Sequence, residues 1–282
     1  MEGRGSPHRA IPGFRNPIDR AMIRCYLPPQ EWDSPTVRIS GPPAHHLIRV
    51  LRVKPGDLLV CFDGRGTEAQ ATVRQISRKE LQVQLGNHVS LPEPPWAITL
   101  GVGIPKKGRF DQIVDQSTQL GVDRIIPLST ARGVVRIPAG KADRSHDSEI
   151  TSGAASSSRS HARWVRISVE AGQQCGVSRL PVIQPVTPWR TMMASLHEYD
   201  LALIGTLQGP YQGLSSLLSS QNPRTVLLLI GPEGDFTEEE IQKALQAGAH
   251  RFSLGPTVLR SETAALAAVS LISFLLRDRQ GG

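Results

Sequence analysis

Residues 225–248 read TVLLLIGPEGDFTEEEIQKALQAG, and residues 251–277 read RFSLGPTVLRSETAALAAVSLISFLLR. Each stretch is an apolar strand, then a Gly-Pro loop, then a helix that begins with charged or hydroxyl side chains. In open α/β sheets, ligands bind where the strands end at their carboxyl edge. Two such loops in succession, one with Glu233 and the other with Arg260 and Glu262, therefore predict one shared pocket.

The starts of the two helices can be predicted from single residues. Thr237 with Glu240 three positions later matches a capping box, with Thr237 as the N-cap. Gly248 is expected to end that helix. Thr263 is a candidate cap for the final helix.

From residue 96 onwards, strands and helices alternate, which predicts a largely parallel sheet in a domain of residues 96–282. Further strands are expected at 98–104, from 124 and at 200–204, and helices at 108–120, 164–174 and 189–196. Residues 140–162 are polar, rich in serine and almost without large apolar side chains. Such a segment cannot bury itself, so we expect a flexible insertion within this domain.

Residues 23–90 show short alternating strands and one helix, which predicts a small β-barrel domain. The strands are expected at 24–27, 36–39, 57–62, 69–76 and 80–85, and the helix at 43–50. The Pro-rich stretch LPEPPW at 91–96 is the expected boundary between the domains. Residues 1–22 have no apolar signal-peptide core, so we expect a disordered extension, with Met22 a candidate alternative start.

Composition restricts the partners. The net charge of +7 over 282 residues favours a polyanion, most commonly nucleic acid, or an anionic membrane surface.

No apolar run reaches the roughly 20 residues that span a bilayer, so no membrane span is expected. Three distant cysteines without a C-x-x-C motif argue against a disulfide framework and a cysteine zinc site. They fit a reducing, cytoplasmic compartment.

The segment GVGIPKKGR at 101–109 follows a strand and opens a helix. Its glycine spacing resembles a P-loop, but Arg109-Phe110 replaces the Lys-Ser/Thr pair, so the magnesium ligand is missing. A dinucleotide-binding glycine motif fails because Lys106 stands where the third glycine belongs. We favour a basic loop in which Lys106, Lys107 and Arg109 face phosphate. A merely solvated basic turn is the alternative.

A second basic segment lies on the predicted helix of the small domain. Arg49 and Arg52 are three residues apart and can share a helix face with His45 or His46. A metal site would need further ligands, and none lies nearby in the sequence, so no metal is expected. A phosphate-contacting face and ordinary surface charge remain alternatives.

The two opening loops also have structural explanations. Gly231 and Gly234 would let the backbone approach a ligand closely, but a tight turn would use the same residues. Arg260 and Glu262 lie between an apolar strand and an apolar helix, where charges are costly unless paired or bound to a ligand. A structural ion pair between them is the alternative.

Five motifs, in order along the chain, resemble the RsmE family. They are HHLIRVLR at 45–52, QLGV at 119–122, EAGQQ at 170–174, GPEG at 231–234 and LGPTVLRSETA at 254–264. The resemblance covers residues 22–277 approximately. It implies an S-adenosylmethionine-dependent methyltransferase acting on N3 of a uridine in 16S ribosomal RNA. It also implies a homodimer of the SPOUT superfamily: a parallel α/β sheet with a C-terminal trefoil knot, preceded by a PUA-like RNA-binding β-barrel.

The resemblance also implies roles for individual residues. Arg260 would stabilise the uridylate or hold the target phosphate, and Glu262 would orient Arg260 or accept a hydrogen bond from the nucleotide. The cofactor would be held, largely by backbone groups, at Gly205, Thr206, Ile230, Gly231, Pro232, Glu233, Gly234, Leu254, Gly255, Val258, Leu259, Thr263 and Ala264. RNA would be contacted by His45, Arg49, Arg52, Lys106, Lys107, Arg109, Arg132 and Arg136.

The chain departs from the family pattern in a few places. Asp235 stands where the family usually has a glycine, and could narrow the pocket or strengthen the helix start. Gln119 replaces a glutamate, and residues 171–174 read AGQQ in place of AAEQ. A non-catalytic RNA-binding protein on the same scaffold, or an enzyme acting on tRNA, therefore stays open.

Overall fold

The computed structural model describes residues 23–106, 108–133, 151–207 and 209–281. The chain divides into two compact units between Glu93 and Pro94. The expectations for residues 1–22, for Lys107 and for residues 134–150 lie outside the described residues. Within the described ranges, no helix is both long and apolar enough to cross a membrane.

The first unit is built on a single five-stranded sheet. Its strands are β1 (Ile23–Tyr26), β2 (Thr36–Ser40), β3 (Leu58–Phe62), β4 (Thr67–Ile76) and β5 (Glu80–Ser90). They lie in the order β1-β3-β4-β5-β2, with β1 parallel to β3 and the other neighbours antiparallel. Alternate residues such as Leu59, Ala71 and Val83 are buried. Because β1 and β2 end the described sheet, the predicted barrel is open rather than closed.

The single helix predicted at 43–50 has two parts. Helix α1 (Gly41–His45) continues into a π-helical turn, His46–Val50, in which the Leu51 N–H donates to the His46 carbonyl at 3.0 Å. Ala44 and Leu47 are buried. Arg52 has φ +55°, so the helix has ended and Arg52 does not continue its face.

The second unit contains a seven-stranded parallel sheet, as predicted. Its strands are β6 (Ala97–Gly103), β7 (Arg124–Ser129), β8 (Val182–Ile183), β9 (Thr187–Pro188), β10 (Leu201–Gly205), β11 (Thr225–Ile230) and β12 (His250–Phe252). Six of them lie in the order β12-β10-β11-β6-β7-β8, and β9 pairs with β7. β6, β10 and β11 are almost wholly buried apolar runs, because helices cover both faces of such a sheet.

The helices of this unit are α2 (Arg109–Gln119), α3 (Thr151–Cys175), α4 (Trp189–Ala194), α5 (Leu214–Gln221), α6 (Glu238–Gln246) and α7 (Ser261–Gly281). Core residues of α2, α3, α5 and α7 pack with Leu100 and Leu228 on one face of the sheet. Those of α4 and α6 pack with Leu227 and Leu229 on the other face. This two-sided packing leaves the strand ends free to build a site. The knot implied by the resemblance stays a prediction.

The prediction of a flexible insertion at 140–162 is wrong for residues 151–162, which belong to α3. Trp164 is buried in the core, and Nε2 of His161 lies 2.8 Å from the Ile183 carbonyl oxygen. Since a helix anchored in this way extends at little further cost, the polar residues before it continue the helix.

The predicted capping box is confirmed at α6. Oγ1 of Thr237 accepts the Glu240 N–H at 3.2 Å, and Oε2 of Glu240 accepts the Thr237 N–H at 2.9 Å. Gly248 follows the helix with φ +100°. The proposed cap at Thr263 is wrong, because α7 begins at Ser261 and Thr263 lies exposed within its first turn.

Candidate active site

A cavity of about 390 Å³ lies at the carboxyl ends of β10, β11 and β12. It is walled by residues 205–207 after β10, by the Gly-Pro loop after β11, and by residues 253–259 after β12. The predicted shared pocket is thus confirmed. The third wall arises because β10 lies between β11 and β12 in the sheet. The volume is within the range of roughly 300–1,000 Å³ that is usual for small-molecule sites.

Close packing fixes the loop after β11. A Cβ atom at Gly103, the last residue of β6, would lie 2.6 Å from Cδ of Pro232. A Cβ atom at Gly231 would lie 2.8 Å from Oδ1 of Asp235. The Pro232 ring leaves no room for a side chain at position 103, whereas a side chain at position 231 would have to displace the Asp235 carboxylate. Gly103 belongs to the glycine spacing that resembles a P-loop. Its close packing against Pro232 explains this glycine without a phosphate.

Glu233 ties this loop to the segment after β6. Its carboxylate accepts the backbone N–H of Lys106, at 2.9 Å to Oε1 and 3.2 Å to Oε2. Glu233 also lines the cavity, and the Lys106 side chain is exposed. The basic loop at 101–109 thus lies directly beside the candidate site. Lys107 lies outside the described residues.

Asp235 adopts φ +58°, the left-handed conformation that a glycine takes without cost. Its half-buried carboxylate lines the cavity and accepts the Phe236 N–H at 2.7 Å. It also accepts the N–H of Leu207, which belongs to the loop after β10. Burial raises the pKa of the Asp235 carboxyl, and these two hydrogen bonds oppose the rise. One side chain therefore joins two walls of the cavity.

Arg132, which is predicted to reach RNA phosphate, also holds the loop after β11 within the chain, and the phosphate contact stays a prediction. Its Nη1 donates to the carbonyl oxygens of Gly234 at 2.7 Å and Phe236 at 3.4 Å. These carbonyls belong to the loop after β11 and have no strand partner, so a cation nearby satisfies them. Arg132 supports the loop from outside the cavity. Arg136 lies outside the described residues.

Glu262 pairs with Arg109, not with Arg260. Nη1 of Arg109 lies 3.0 Å from Oε1 of Glu262. Glu262 is buried, and the Arg109 side chain is 29% exposed. Glu262 therefore does not hold the Arg260 guanidinium directly. Its predicted hydrogen bond to the nucleotide, and the predicted phosphate contact of Arg109, stay predictions. Oε2 of Glu262 is buried without a hydrogen-bond partner among the described residues.

Arg260 is exposed between two lining residues, Leu259 and Ser261. No described residue forms a hydrogen bond or ion pair with its guanidinium, whereas its backbone carbonyl accepts the Ala264 N–H at 2.8 Å. Because it follows the third wall directly, Arg260 brings a positive charge to the edge of the cavity.

Most of the predicted cofactor contacts do line the cavity: Gly205, Thr206, Ile230, Gly231, Pro232, Glu233, Leu254, Gly255, Val258, Leu259 and Ala264. Gly234 and Thr263 do not. Sequence reasoning missed several lining residues, among them Ser253, Ser261 and Tyr211, whereas Asp235 lines the cavity that it was expected to narrow. A single aromatic in the Gly-Pro-rich stretch GPYQG at 209–213 was the available signal for Tyr211.

In the first unit, His45, Arg49 and Arg52 are all exposed, as an RNA contact would require. Among the described residues of both units, no group of three histidine, cysteine or acidic side chains is placed to hold a metal ion.

The chain matches two protein families. The family described as RNA methyltransferase domain matches residues 92–161 and 144–273, and the family described as RNA methyltransferase PUA domain matches residues 39–86. The chain therefore belongs to the RNA methyltransferase family with an N-terminal PUA domain. The resemblance to the RsmE family is also confirmed by the relatives that follow.

These relatives cover nearly the whole chain. Ribosomal RNA small subunit methyltransferase E of Bacillus subtilis is 29% identical over 259 residues, 88% of this chain and 94% of that protein. The protein of the same name from Synechocystis is 29% identical over 258 residues, 90% and 78% of the two chains. The crystal structure of the Neisseria gonorrhoeae enzyme bound to S-adenosyl methionine superposes with a TM-score of 0.76 at 28% identity, covering 90% of this chain and 98% of that chain.

Proposed function

We propose that this protein is an S-adenosylmethionine-dependent methyltransferase that modifies N3 of a uridine in 16S ribosomal RNA. The observation that carries the proposal is the cavity at the three strand ends, with the exposed guanidinium of Arg260 beside it. A relative with the same fold is named as a small-subunit rRNA methyltransferase and was crystallised with this cofactor. The N3 position rests on the family resemblance.

The residues present fit the cofactor. The loops after β10, β11 and β12 offer backbone groups close to the cavity, because Gly205, Gly231 and Gly255 carry no side chain. Gly255 has φ +124°, a conformation that favours glycine. Ser253, Thr206 and Ser261 add hydroxyl groups among the lining residues. Bound there, S-adenosylmethionine would supply a methyl group already activated on a sulfonium.

The chain then has to align the acceptor rather than provide a nucleophile of its own. Uridine N3 must lose its proton before it can accept a methyl group, and negative charge then spreads to the ring oxygens. Arg260 lies where a cation would stabilise this charge or hold the target phosphate. Arg109 and Glu262, held together at 3.0 Å, would fix the start of α7 and with it the position of Arg260.

RNA would bind through exposed basic residues. His45, Arg49 and Arg52 follow one another on the first unit, and Lys106 lies beside the cavity in the second. Positive side chains of this kind contact phosphates without reading sequence. The target uridine would leave its stack to enter the site, as base-modifying enzymes require. Action on ribosomal subunits implies a cytoplasmic location.

We further propose a homodimer formed through α7. Phe274 is 65% exposed on this helix and Leu271, three residues earlier, is also exposed, so the two side chains form an apolar patch that a second copy of the chain would cover. Light scattering during gel filtration should give twice the chain mass. A Phe274→Arg variant should give the monomer mass, whereas a monomeric wild-type protein would contradict the proposal.

The test of the function is methyl transfer to small ribosomal subunits from a strain that lacks this protein. Radiolabelled cofactor should deliver one methyl group per subunit, and mass spectrometry of nuclease fragments should locate it at N3 of a single uridine. Labelling of tRNA alone would contradict the ribosomal substrate. Cofactor binding without any transfer, measured by calorimetry, would favour the non-catalytic alternative.

A further inference from the structure

Asp235 occupies a backbone conformation that its side chain makes unfavourable. At φ +58°, a Cβ atom is crowded and glycine is the residue that fits without strain, although aspartate and asparagine tolerate the region better than other side chains. We therefore expect the Asp235 carboxylate to have a role that a glycine at this position could not fill. Its hydrogen bonds to Phe236 and Leu207 join two loops, but an amide oxygen could accept both.

The charge of the cavity wall gives the carboxylate a second role. Among the described residues that line the cavity, the charged side chains are Glu233 and Asp235, and both are acidic. Glu233 is exposed, so water screens its charge, whereas Asp235 is half-buried. A charge that is partly removed from water acts more strongly on a ligand. Arg132 and Glu240 are charged neighbours of Asp235 whose effects oppose each other.

Methyl transfer changes the charge of whatever occupies this cavity. After N3 has given up its proton to water, the S–CH₃ bond breaks, the bond between the methyl carbon and the deprotonated N3 forms, and the electron pair of the broken bond stays on sulfur. The sulfonium of the donor thereby becomes a neutral thioether in the product, S-adenosylhomocysteine. Donor and product differ by one methyl group and one positive charge, so an acidic wall favours the donor.

We infer, on the basis of the proposed function, that Asp235 makes this cavity bind the cationic methyl donor more tightly than the demethylated product. The carboxylate attracts the donor and loses this attraction once the methyl group has left. Product release is then favoured at each turnover. Asp235 is a specificity residue in this account and takes no part in the transfer itself.

The experiment compares two ligands by isothermal titration calorimetry at low ionic strength. Asp235→Asn keeps the size and the accepting oxygen and removes the charge. Asp235→Gly removes the side chain and keeps the backbone conformation. Asp200→Asn is the matched control, because the Asp200 carboxylate also accepts two backbone N–H groups, those of Arg224 and Thr225, but it lies before β10, at the opposite end of that strand.

Wild-type protein should bind S-adenosylmethionine more tightly than S-adenosylhomocysteine. Both Asp235 variants should reduce this preference by roughly three- to tenfold, the effect expected of one partly exposed charge pair, and Asp200→Asn should leave it unchanged. An unchanged preference in the Asp235 variants, or an equal loss of both ligands, would overturn the inference. If the wild-type protein binds neither ligand, it is the proposed function that fails.

Discussion

Nη1 of Arg109 donates to Oε1 of Glu262 over 3.0 Å, which joins the first turn of α2 to the first turn of α7 across 153 positions of sequence. Glu262 is buried, so water stabilises the charge of its carboxylate only weakly. The carboxylate therefore depends on Arg109 to offset the cost of burying that charge. The pair therefore fixes the start of the helix that follows the third wall of the cavity.

We predict that Glu262→Ala lowers the free energy of unfolding by about 1–3 kcal/mol, because it leaves the partly buried Arg109 without its acceptor. A double-mutant cycle with Arg109→Ala should give a coupling energy of about 1 kcal/mol or more in urea denaturation. The exposed pair Arg166–Glu170, at 3.5 Å, is the control and should give about 0.3–0.5 kcal/mol. Equal coupling energies in the two pairs would mean that the Arg109–Glu262 contact stabilises the protein no more than an exposed ion pair does.

Arg132 supports the loop after β11, so Arg132→Ala should weaken cofactor binding. We expect the dissociation constant for S-adenosylmethionine to rise roughly three- to tenfold, since two carbonyls lose a charged donor. RNA affinity in a filter-binding assay should stay within about twofold, well under the ~1 kcal/mol of a lost charged contact. The control is Arg124→Ala, because Arg124 is the first residue of β7 whereas Arg132 follows the last. Loss of RNA affinity with unchanged cofactor binding would instead support the phosphate contact predicted for Arg132.

Arg260→Ala should abolish most of the methyl transfer while cofactor binding persists. Removing one cation that stabilises developing charge typically lowers kcat by about 10²–10³-fold. Arg260→Lys should recover part of the rate, because the charge remains. Arg277→Ala, an exposed arginine near the end of the same helix, should behave as wild type. A parallel loss of cofactor affinity in Arg260→Ala would show instead that Arg260 shapes the cavity.

Charge reversal at Arg49 and Arg52 should weaken RNA binding at low salt. Each lost phosphate contact is expected to reduce the slope of log affinity against log salt by about 0.7–0.9. The matched control is a double reversal at Arg74 and Arg78, which are also exposed on the first unit. If both double variants lose the same affinity, net charge alone attracts the RNA and the segment 45–52 has no special role.

The walls of the cavity could be predicted because they are local. Gly231 and Pro232 directly follow the apolar strand β11, and Gly255 lies three residues after the end of β12. Residue type therefore indicates both the position of these loops and their conformation. The capping box at Thr237 and Glu240 is local in the same sense. Each feature depends on fewer than six neighbouring residues, which is the range over which residue type determines backbone conformation.

The partners of the charged side chains could not be predicted. Arg132 contacts Gly234 across 102 positions, and Arg109 contacts Glu262 across 153, so both contacts depend on how distant elements pack. Arg260 and Glu262 looked like a pair because only Ser261 separates them in the sequence. Glu262, in the first turn of α7, points towards α2, whereas Arg260 precedes the helix and is exposed.

Short elements also escaped prediction. β8 and β9 contain two residues each and carry no periodicity. Helix α5 reads LSSLLSSQ, and its serines favour caps and turns over helix interiors, because their hydroxyls compete for backbone hydrogen bonds. Its burial of Leu217 and Leu218 against the sheet decides its structure, and that contact is tertiary.

The three walls of the cavity follow β10, β11 and β12, and the last two of these strands are not neighbours in the sheet, since β10 lies between them. The walls span residues 205–264, so a growing chain has no complete binding site until the start of α7 has left the ribosome. A ligand that needs all three walls binds the finished fold alone and stabilises it by mass action. Ligand capture would therefore report when the second unit of a newly made chain has matured.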